Sequence, residues 1–289
     1  MMKKGSKLWF WVFISPILFA FLVVQVIPTF MGIFYSFTSW NGITGGMNMV
    51  GLDNYKSVLL DKDFYKAFWF TARFAITAII SINLVGFLLA LLVTSGIKGS
   101  NVLRGAFFIP NLIGGLILGF IWQFIFTKAF DALGSKLGIE WLQGWLSDST
   151  TGFWGLIILM TWQMAGYMMI IYISGLQNIP DSVIEAAAID GANKWQVLKS
   201  ITIPLVAPAF TVGIFLTLSN SFKLYDQNLS LTGGGPGGST EMIAMNIYNT
   251  AFKFNKLGLA QAKAVIFLIV LAGVALTQMY FSKKKEVEM

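Results

Sequence analysis

Residue types that commonly carry chemistry are scarce in this sequence. It contains neither histidine nor cysteine, which excludes zinc sites, disulfides, histidine proton relays and cysteine nucleophiles. The segment GGGPGGST at 233–240 has the glycine-rich character of a phosphate-binding loop. It lacks the lysine that the pattern GxxxxGK, followed by Ser or Thr, requires, and no strand–loop–helix pattern surrounds it. We therefore expect no nucleotide site in this chain.

A second unusual segment, EAAAIDGANKWQVLKSITIP at 185–204, is charged and helix-like although it lies between two strongly apolar stretches. Ser182 and Glu185, near its start, have the spacing of a helix capping box. Gly191 is expected to end this first helix, and a second short helix should lead to Pro204, where an apolar stretch begins. The segment thus predicts two short helices whose mutual angle is set by the glycine.

The residue types leave two interpretations of this segment open. It is either a surface loop in which Glu185 merely caps a helix, or a docking element for another protein. In the second case the small side chains of Ala186, Ala187 and Ala188 would allow the partner to approach closely.

The overall composition indicates a membrane protein. Hydrophobic residues make up 56% of the 289 residues and charged residues only 11%, whereas an average soluble protein has about 25% charged residues. The formal net charge is +7, but the basic residues lie mostly at the borders of apolar stretches, as is typical of the cytoplasmic side of membrane proteins. We therefore expect the chain to contact a lipid membrane and no nucleic acid.

Stretches without charged residues indicate how often the chain crosses the membrane. A helix needs about 20 apolar residues to span the hydrocarbon core, and six charge-free windows of sufficient length occur in the sequence. The predicted fold class is an all-α, polytopic membrane protein with six transmembrane helices. The predicted spans lie near 8–35, 72–95, 105–126, 153–175, 204–222 and 264–281.

The termini indicate an orientation. The first apolar stretch is longer than the about 7–15 residues of a signal-peptide core, and no small-residue cleavage site follows it, so we interpret it as an uncleaved span. Six spans place both termini on the same side of the membrane. Lysines flank the first and last spans, in KKGSK at 3–7 and at Lys283, Lys284 and Lys285. This arrangement predicts cytoplasmic termini and a cytoplasmic loop between spans four and five.

The segment that begins at Glu185 matches the EAA loop of ABC importer permeases, whose pattern is EAA-x3-G-x9-I-x-L-P. The matching residues are Glu185, Ala186, Ala187, Gly191, Ile201 and Pro204, with Ile203 in place of the usual leucine. Other stretches, over essentially the whole chain, resemble the carbohydrate branch of that family, the permeases related to the maltose, lactose and glycerol-phosphate importers. They are YSFTSW at 35–40, VGLDNYKSVL at 50–59, FFIPNLIGG at 107–115, GLQNIPDSVIEAAAIDGA at 175–192 and LTGGGPGGST at 231–240.

The resemblance implies that 1–289 form a single permease domain in the plasma (inner) membrane of a prokaryote, moving a sugar or oligosaccharide by ATP-driven alternating access. Its implied partners are a second homologous permease, two copies of a cytoplasmic ABC ATPase and an extracytoplasmic sugar-binding protein. ATP and Mg would be bound by the ATPase, so this chain would be no enzyme and would hold no cofactor or metal. In that family the loop corresponding to 181–203 forms coupling helices that dock on the ATPase. The expected docking residues are Ser182, Glu185, Ala186, Ala187, Asp190, Gly191, Ile201 and Pro204.

The resemblance also implies a substrate path lined by the polar and aromatic residues that remain within the spans. An aromatic ring can stack on a sugar face, and amides or hydroxyls can hydrogen-bond its OH groups. Tyr167 aligns with an aromatic sugar contact of the maltose-type permease. Hydrogen bonding between helices is the alternative role for each candidate, and it is favoured for Asn83 and Gln123. The candidates are Gln163, Tyr167, Thr217, Asn220 and Ser221.

Two glycine patterns complete the candidate features. Gly115 and Gly119 form a GxxxG pair, which predicts close packing of the third span against another helix. The glycine-rich segment in the outer loop, 223–262, has the composition of a flexible connector. By the family resemblance it is also a candidate for contact with the binding protein, through Thr232, Gly233, Gly234, Gly235 and Pro236.

Two other functions remain as alternatives. An ABC permease for another solute, such as glycerol phosphate or an oligopeptide, would share these motifs. An ion-coupled secondary carrier or a channel would belong to a different class. Carriers hold acidic residues or histidine within the bilayer, and the six windows contain none, while Arg73, Lys223 and Lys263 lie at span borders where snorkelling explains them. A membrane-embedded enzyme is disfavoured because the spans contain no acid–base pair or nucleophile cluster.

Overall fold

The computed structural model describes residues 4–43 and 46–284, and most of this part of the chain is helical. Within it, β pairing is limited to one antiparallel bridge between Thr38 and Met49, so the prediction of an all-α fold is confirmed. Lys3 and Lys285, which belong to the predicted basic flanks, lie outside the described residues. The α-helices are α1 (Lys4–Phe21), α2 (Ile27–Tyr35), α3 (Asp53–Leu60), α4 (Lys62–Thr94), α5 (Ser100–Phe108), α6 (Gly115–Phe124), α7 (Phe130–Leu137), α8 (Ser149–Gln177), α9 (Asp181–Ile189), α10 (Lys194–Val197), α11 (Ile203–Leu205), α12 (Ala207–Phe222), α13 (Asp226–Leu231), α14 (Ile243–Tyr248) and α15 (Leu257–Lys283).

Five continuous helical stretches are long and apolar enough to cross a membrane. In two of them a π-helical turn joins consecutive helices, α1 to α2 and α6 to α7. A sixth exists when the bent pair Lys194–Leu205 and Ala207–Phe222 is counted as one span. With that pair the number equals the six predicted spans. The five continuous stretches are Trp9–Tyr35, Lys62–Thr94, Gly115–Leu137, Ser149–Gln177 and Leu257–Lys283.

The third span differs from its prediction. Residues 105–126 do not form one helix, because α5 and the 3-10 turn Ile109–Leu112 end at Ile113, where the backbone is extended. The backbone is extended again at Gly114, and a new helix starts behind it. This helix runs through α7 to Leu137, although α7 contains charged residues. Charge-free windows therefore placed the span too early, since they register neither a helix break nor a helix that continues into polar sequence.

The fifth span is bent close to its predicted start at residue 204. The helical segment after residue 193 continues through Pro204 and ends at Leu205, and a bend of 67° at Val206 separates it from α12. Pro208 explains the position of the bend. It lies in the first turn of α12, where proline is favoured, and it cannot donate a hydrogen bond back to the preceding helix. Val206 itself is fully buried, so the bend is fixed by packing.

The helices belong to two compact units, Met1–Lys62 with Ile247–Ile269 and Asp63–Asn246 with Val270–Met289. A single permease domain over 1–289 stays a prediction. In the second unit a buried polar cluster joins α4, α8 and α12. Asn83 donates to the hydroxyl of Thr217 over 3.0 Å and accepts a hydrogen bond from Tyr172. This confirms the interhelical role predicted for Asn83.

The start of α8 is fixed by a helix cap. The Asp148 carboxylate accepts hydrogen bonds from the backbone N–H groups of Thr150, over 2.6 Å, and Thr151, over 3.0 Å. The Thr151 N–H, the Thr151 hydroxyl and the Thr150 N–H, in that order, hold the pKa of Asp148 below its ordinary value. Because the carboxylate satisfies the free N–H groups of the first turn, α8 begins at Ser149.

The first unit contains a buried ion pair that the sequence did not predict. The Lys263 side chain is only 4% exposed, and its ammonium lies 2.8 Å from the Asp61 carboxylate. It also donates to the Thr250 hydroxyl over 2.9 Å. The prediction that Lys263 snorkels from a span border is wrong, because α15 begins at Leu257 and carries this lysine inside the unit. Burial of an ammonium requires such partners.

We expect Asp61→Asn to lower the free energy of unfolding by about 1–3 kcal/mol, because it leaves the Lys263 ammonium buried without a carboxylate. The matched control is Asp53→Asn, which removes the ion pair with Lys56. The side chain of Asp53 is 71% exposed and that of Lys56 is 73% exposed. Exposed pairs contribute about 0–1 kcal/mol. Apparent melting temperatures of the detergent-purified protein measure both effects, and equal shifts for the two variants would contradict the structural role of the buried pair.

Candidate functional site

Three of the five predicted path residues line one cavity of about 310 Å³. Gln163 and Tyr167 reach it from the middle of α8, and Asn220 reaches it from the last turn of α12. Tyr167 and Gln163 are four residues apart on the helix and therefore share a face. The remaining walls are formed by Asn111, Met160, Met164, Lys223, Leu224, Tyr225, Asp226 and Gln227.

Thr217 and Ser221, the other two predicted path residues, are buried elsewhere. Both are fully buried, and neither lines the cavity. The Thr217 hydroxyl donates to the Gly213 carbonyl over 2.8 Å and belongs to the cluster around Asn83. The two residues are one turn apart on α12, and Asn220 is rotated from Thr217 by about 60° and from Ser221 by about 100°. In this structure one face of α12 therefore meets the cavity, and the face of Thr217 and Ser221 packs inside the protein.

Gln163 connects three segments at one wall of the cavity. Its Nε2 donates to the carbonyl of Ile113 over 3.2 Å, and its Oε1 accepts from Nε2 of Gln227 over 2.8 Å. Ile113 is the extended residue at which the chain breaks between α5 and α6, so its carbonyl has no partner within a helix. At membrane depth such a carbonyl must be satisfied by the protein. The buried Gln163 side chain meets that requirement and also fixes the position of α13 through Gln227.

The cavity has the chemistry of a binding site for a neutral, hydroxyl-rich solute. Four amide side chains and two phenols supply both donors and acceptors. The Tyr167 ring is half-buried, with its centroid 6.5 Å from that of Phe108, so one neighbour already limits its rotation. Lys223 and Asp226 are exposed charges of opposite sign. The lining contains no pair of groups arranged as nucleophile and base.

Close helix packing holds the wall formed by α13. A Cβ at Gly115 would lie 2.9 Å from Cβ of Asp226, and one at Gly119 would overlap the Ser230 side chain. The GxxxG pair thus packs α6 directly against α13, which confirms its predicted role. Gln123 donates to the carbonyl of Leu231 over 3.1 Å and confirms the interhelical role predicted for it. α13 itself, and with it Gln227, was absent from the prediction because no span or motif marks it.

The glycine-rich segment after α13 is folded against it. The Asn228 amide donates to the Thr240 carbonyl over 2.8 Å and accepts from the Met242 N–H over 3.1 Å, which closes the segment into a loop. Thr232 is half-buried and its hydroxyl accepts a hydrogen bond from Thr240. Among the predicted contact residues, Gly234 is buried, Gly235 is half-buried, and Gly233 and Pro236 are exposed. The described loop is thus hydrogen-bonded, in contrast to the flexible connector that its composition indicates.

The EAA segment forms two short helices separated by Gly191, as predicted. α9 begins at Asp181 after Pro180, with no side-chain cap, so the predicted capping box of Ser182 and Glu185 is wrong. The helix starts two residues too early for Ser182 to cap it, because its N-cap position is Pro180. A capping box occurs instead at the second helix, between Asn193 and Gln196. The capping box is therefore at the start of α10 and not, as predicted, at the start of α9.

Gly191 ends α9 in a conformation that few other residues adopt. Its φ is +77°, and its N–H donates to the carbonyl of Ala188 over 3.1 Å. The next N–H, of Ala192, donates to the carbonyl of Ala187 over 2.9 Å. These two hydrogen bonds form a Schellman motif, which requires a left-handed residue at the position of Gly191. Replacement by another residue would therefore strain the turn even though open space surrounds its Cα.

The predicted docking residues do not all share one exposed surface. Ser182, Glu185, Ala186, Asp190 and Gly191 are exposed, whereas Ala187 is buried and Ile201 and Pro204 are half-buried. Sequence reasoning missed the two most exposed apolar side chains of the segment. Ile189 is 86% exposed and Trp195 is 68% exposed, on either side of the turn. A motif pattern passes over both, because they fall at its unspecified positions.

Residues 82–287 match the model of the family described as binding-protein-dependent transport system inner membrane component. The chain is 52% identical over 287 residues to the probable starch degradation products transport system permease protein AmyD of Thermoanaerobacterium thermosulfurigenes, covering 99% of this chain and 97% of the relative. It is 36% identical over 286 residues to the multiple sugar-binding transport system permease protein MsmF of Streptococcus mutans, covering 99% of each.

One solved structure has the same fold over nearly the full length. It is a crystal structure of a bacterial ABC transporter involved in the import of the acidic polysaccharide alginate, with a TM-score of 0.84. The match covers 97% of this chain and 96% of the solved chain at 18% sequence identity. The predicted permease fold is thereby confirmed.

We expect Gly119→Ala to destabilise the protein by about 1–3 kcal/mol, because the added methyl group must displace α13 from α6. Gly114→Ala is the matched control, since a Cβ there meets no atom within 4 Å and the backbone φ is −60°. Apparent melting temperature and the monodisperse fraction in size-exclusion chromatography measure the difference. If Gly119→Ala behaves like Gly114→Ala, close packing does not hold this wall of the cavity.

Proposed function

The chain belongs to the family of inner membrane components of binding-protein-dependent transport systems, and we propose that it forms the path of an ATP-driven importer that moves a sugar or oligosaccharide by alternating access. It is a permease subunit of a sugar ABC importer and not an enzyme. The observation that carries the proposal is the cavity between α8, α12 and α13, whose amides and phenols suit a hydroxyl-rich cargo. The names of its relatives, which refer to starch degradation products and multiple sugars, support this cargo class.

Within this proposal, Tyr167 stacks on a sugar ring while Asn220 and Gln163 hydrogen-bond its hydroxyl groups. The cavity volume of about 310 Å³ accommodates part of an oligosaccharide at a time. Thr217 and Ser221 are buried outside the cavity, which supports a packing role for them in this conformation. They would line the path only in another conformation of α12.

We also propose that the EAA segment docks on a cytoplasmic ABC ATPase, present in two copies, which binds the ATP and Mg that this chain does not. A second homologous permease would complete the path. Support comes from the rigid turn at Gly191 and from the exposed Ile189 and Trp195, since apolar side chains exposed in a polar loop commonly mark protein contacts. Lys283 and Lys284, at the end of the last span, support cytoplasmic termini, and therefore a cytoplasmic EAA segment.

The family description implies an extracytoplasmic binding protein, and we propose that the loop of Thr232–Pro236 contributes to its contact. The exposed Gly233 and Pro236 support this role. The loop adjoins α13, whose Gln227 and Asp226 line the cavity, so a partner bound there would lie close to the proposed path.

Two alternatives make different demands on the molecule. A permease for another solute, such as glycerol phosphate, would need a cationic lining, but Lys223 is accompanied by Asp226 in the same cavity. An ion-coupled carrier would need no ATPase. Binding of an ATPase therefore separates the carrier from the proposed importer.

We expect Ile189→Asp to weaken retention of the ATPase by at least about tenfold, because it places a charge in the centre of the proposed apolar contact. The matched control is Leu60→Asp, which alters a similarly exposed apolar residue (81% against 86%) at the end of α3. This helix lies between the first two spans, which cytoplasmic termini would place on the opposite side of the membrane. Co-purification of the ATPase with each variant, normalised to membrane-inserted permease, is the measurement. Equal retention by the two variants would argue against docking at α9.

We expect Tyr167→Ala to reduce sugar uptake several-fold, which corresponds to the loss of about 1 kcal/mol from a stacking or hydrogen-bonding partner. Tyr167→Phe keeps the ring and should be milder. Thr217→Val is the control, because it alters a buried residue outside the cavity and should lower thermal stability with little effect on uptake per assembled complex. Uptake by proteoliposomes, divided by the amount of complete transporter, is measured. An unchanged ratio for Tyr167→Ala would assign that residue to packing.

A further inference from the structure

The outer face of α4 and α8 carries two cavities that lie end to end on the same helices. The first, about 390 Å³, is lined by Arg73, Thr77, Ser149, Thr150 and the rings of Phe70 and Phe153. The second, about 570 Å³, begins one turn further along and is almost wholly apolar. Its walls include Val85, Leu89, Phe107, Ile157, Ile158 and Trp162. A polar pocket thus continues into an apolar groove.

The dimensions of this groove match one membrane leaflet. α4 and α8 run parallel, since Phe70 packs on Phe153 and Ser81 hydrogen-bonds Thr161 further along both helices. From Arg73 to Leu89 the helix rises by about 24 Å. A leaflet with its headgroup region occupies about 20–22 Å. The polar pocket therefore lies at headgroup depth when the apolar groove spans the hydrocarbon of the same leaflet.

Arg73 supplies the charge that selects an occupant. Among the described residues it makes no ion pair and no side-chain hydrogen bond, although it lies within Lys62–Thr94, a helix long and apolar enough to cross a membrane. Asp148, the acid that precedes Ser149 in the sequence, directs its carboxylate to the N–H groups of Thr150 and Thr151 at the helix start. A guanidinium is well suited to phosphate, which it can bind through two parallel hydrogen bonds.

We propose that this groove binds one anionic phospholipid, with its phosphate on Arg73 and one acyl chain along the apolar groove toward Leu89. The hydroxyls of Ser149 and Thr150 supply further donors to the headgroup. Trp154, which also lines the groove and is 49% exposed, lies between its polar and apolar parts, the depth that tryptophan prefers in membranes. The proposal is independent of the transported solute, because the groove shares no lining residue with the cavity that contains Tyr167.

The test uses the complete transporter, delipidated in detergent and titrated with phosphatidylglycerol under native mass spectrometry. We expect Arg73→Gln to weaken the tightest phosphatidylglycerol site by at least about tenfold, because hydrogen bonds to a charged group are lost. Lys66→Gln is the matched control, as it removes a positive charge from the same helix outside the groove. Equal loss or no loss in both variants overturns the proposal.

Two further arms examine the apolar groove and the headgroup. Val85→Phe fills the groove and should also weaken binding, whereas Leu84→Phe, at an exposed position that does not line it, should not. Phosphatidylcholine should bind the wild type at least about tenfold more weakly than phosphatidylglycerol, since its headgroup has no net charge. Equal affinity for the two lipids contradicts the role of Arg73. If the permease alone binds phosphatidylglycerol at this site and the complete transporter does not, the groove is a contact between subunits. That result would overturn the proposal.

Discussion

The hydrogen bond from Gln163 to the carbonyl of Ile113 is the contact on which the cavity depends. In a bilayer every backbone polar group must find a partner within the protein, and an unbroken helix meets this condition by itself. The chain is not helical between α5 and α6, so the Ile113 carbonyl lacks a helical hydrogen bond. The Gln163 side chain of α8 donates to this carbonyl instead. Asn111, just before the break, and Gln227, which the same Gln163 side chain holds, both line the cavity.

Small residues then set the distances between the helices around that break. A Cβ at Gly166 would overlap the carbonyl of Phe107, and one at Gly86 would lie 2.8 Å from Cβ of Met168. Lipid provides little hydrophobic drive for helices to associate, so close backbone approach and hydrogen bonds contribute most of the cohesion. The buried cluster of Asn83, Tyr172 and Thr217 adds the hydrogen-bonded component at the same helix contacts. The cavity is thereby held between segments with little freedom to separate.

Sequence patterns predicted the helical class, the number of spans, the close approach at Gly119 and the turn at Gly191. These features follow from local composition and from residues whose conformational demands are unusual. The helix break at Ile113 could have been predicted from the sequence, because Pro110 and the pair Gly114–Gly115 are turn signals inside an apolar stretch. The sequence could not predict the ion pair of Lys263 with Asp61 or the hydrogen bond of Gln227 to Gln163, since each joins segments that are distant in sequence. Which face of α12 meets the cavity depends equally on tertiary packing, and so Asn220 could not be separated from Thr217 and Ser221.

The bend at Val206 has a mechanical consequence. Lys194–Leu205 and Ala207–Phe222 form the two arms of a crank whose pivot is a fully buried residue. The first arm, from Lys194 to Leu205 on the side proposed to face the cytoplasm, is about 18 Å long. The second arm, from Val206 to Asn220, is about 21 Å long. If the crank turns as a rigid body by about 5°, its two ends move by about 1.6 Å and about 1.8 Å. The two ends therefore move by nearly equal distances, and because the helix axis is bent by 67° at the pivot, their displacements are not antiparallel. A straight helix that turned about the same pivot would move its two ends in opposite directions.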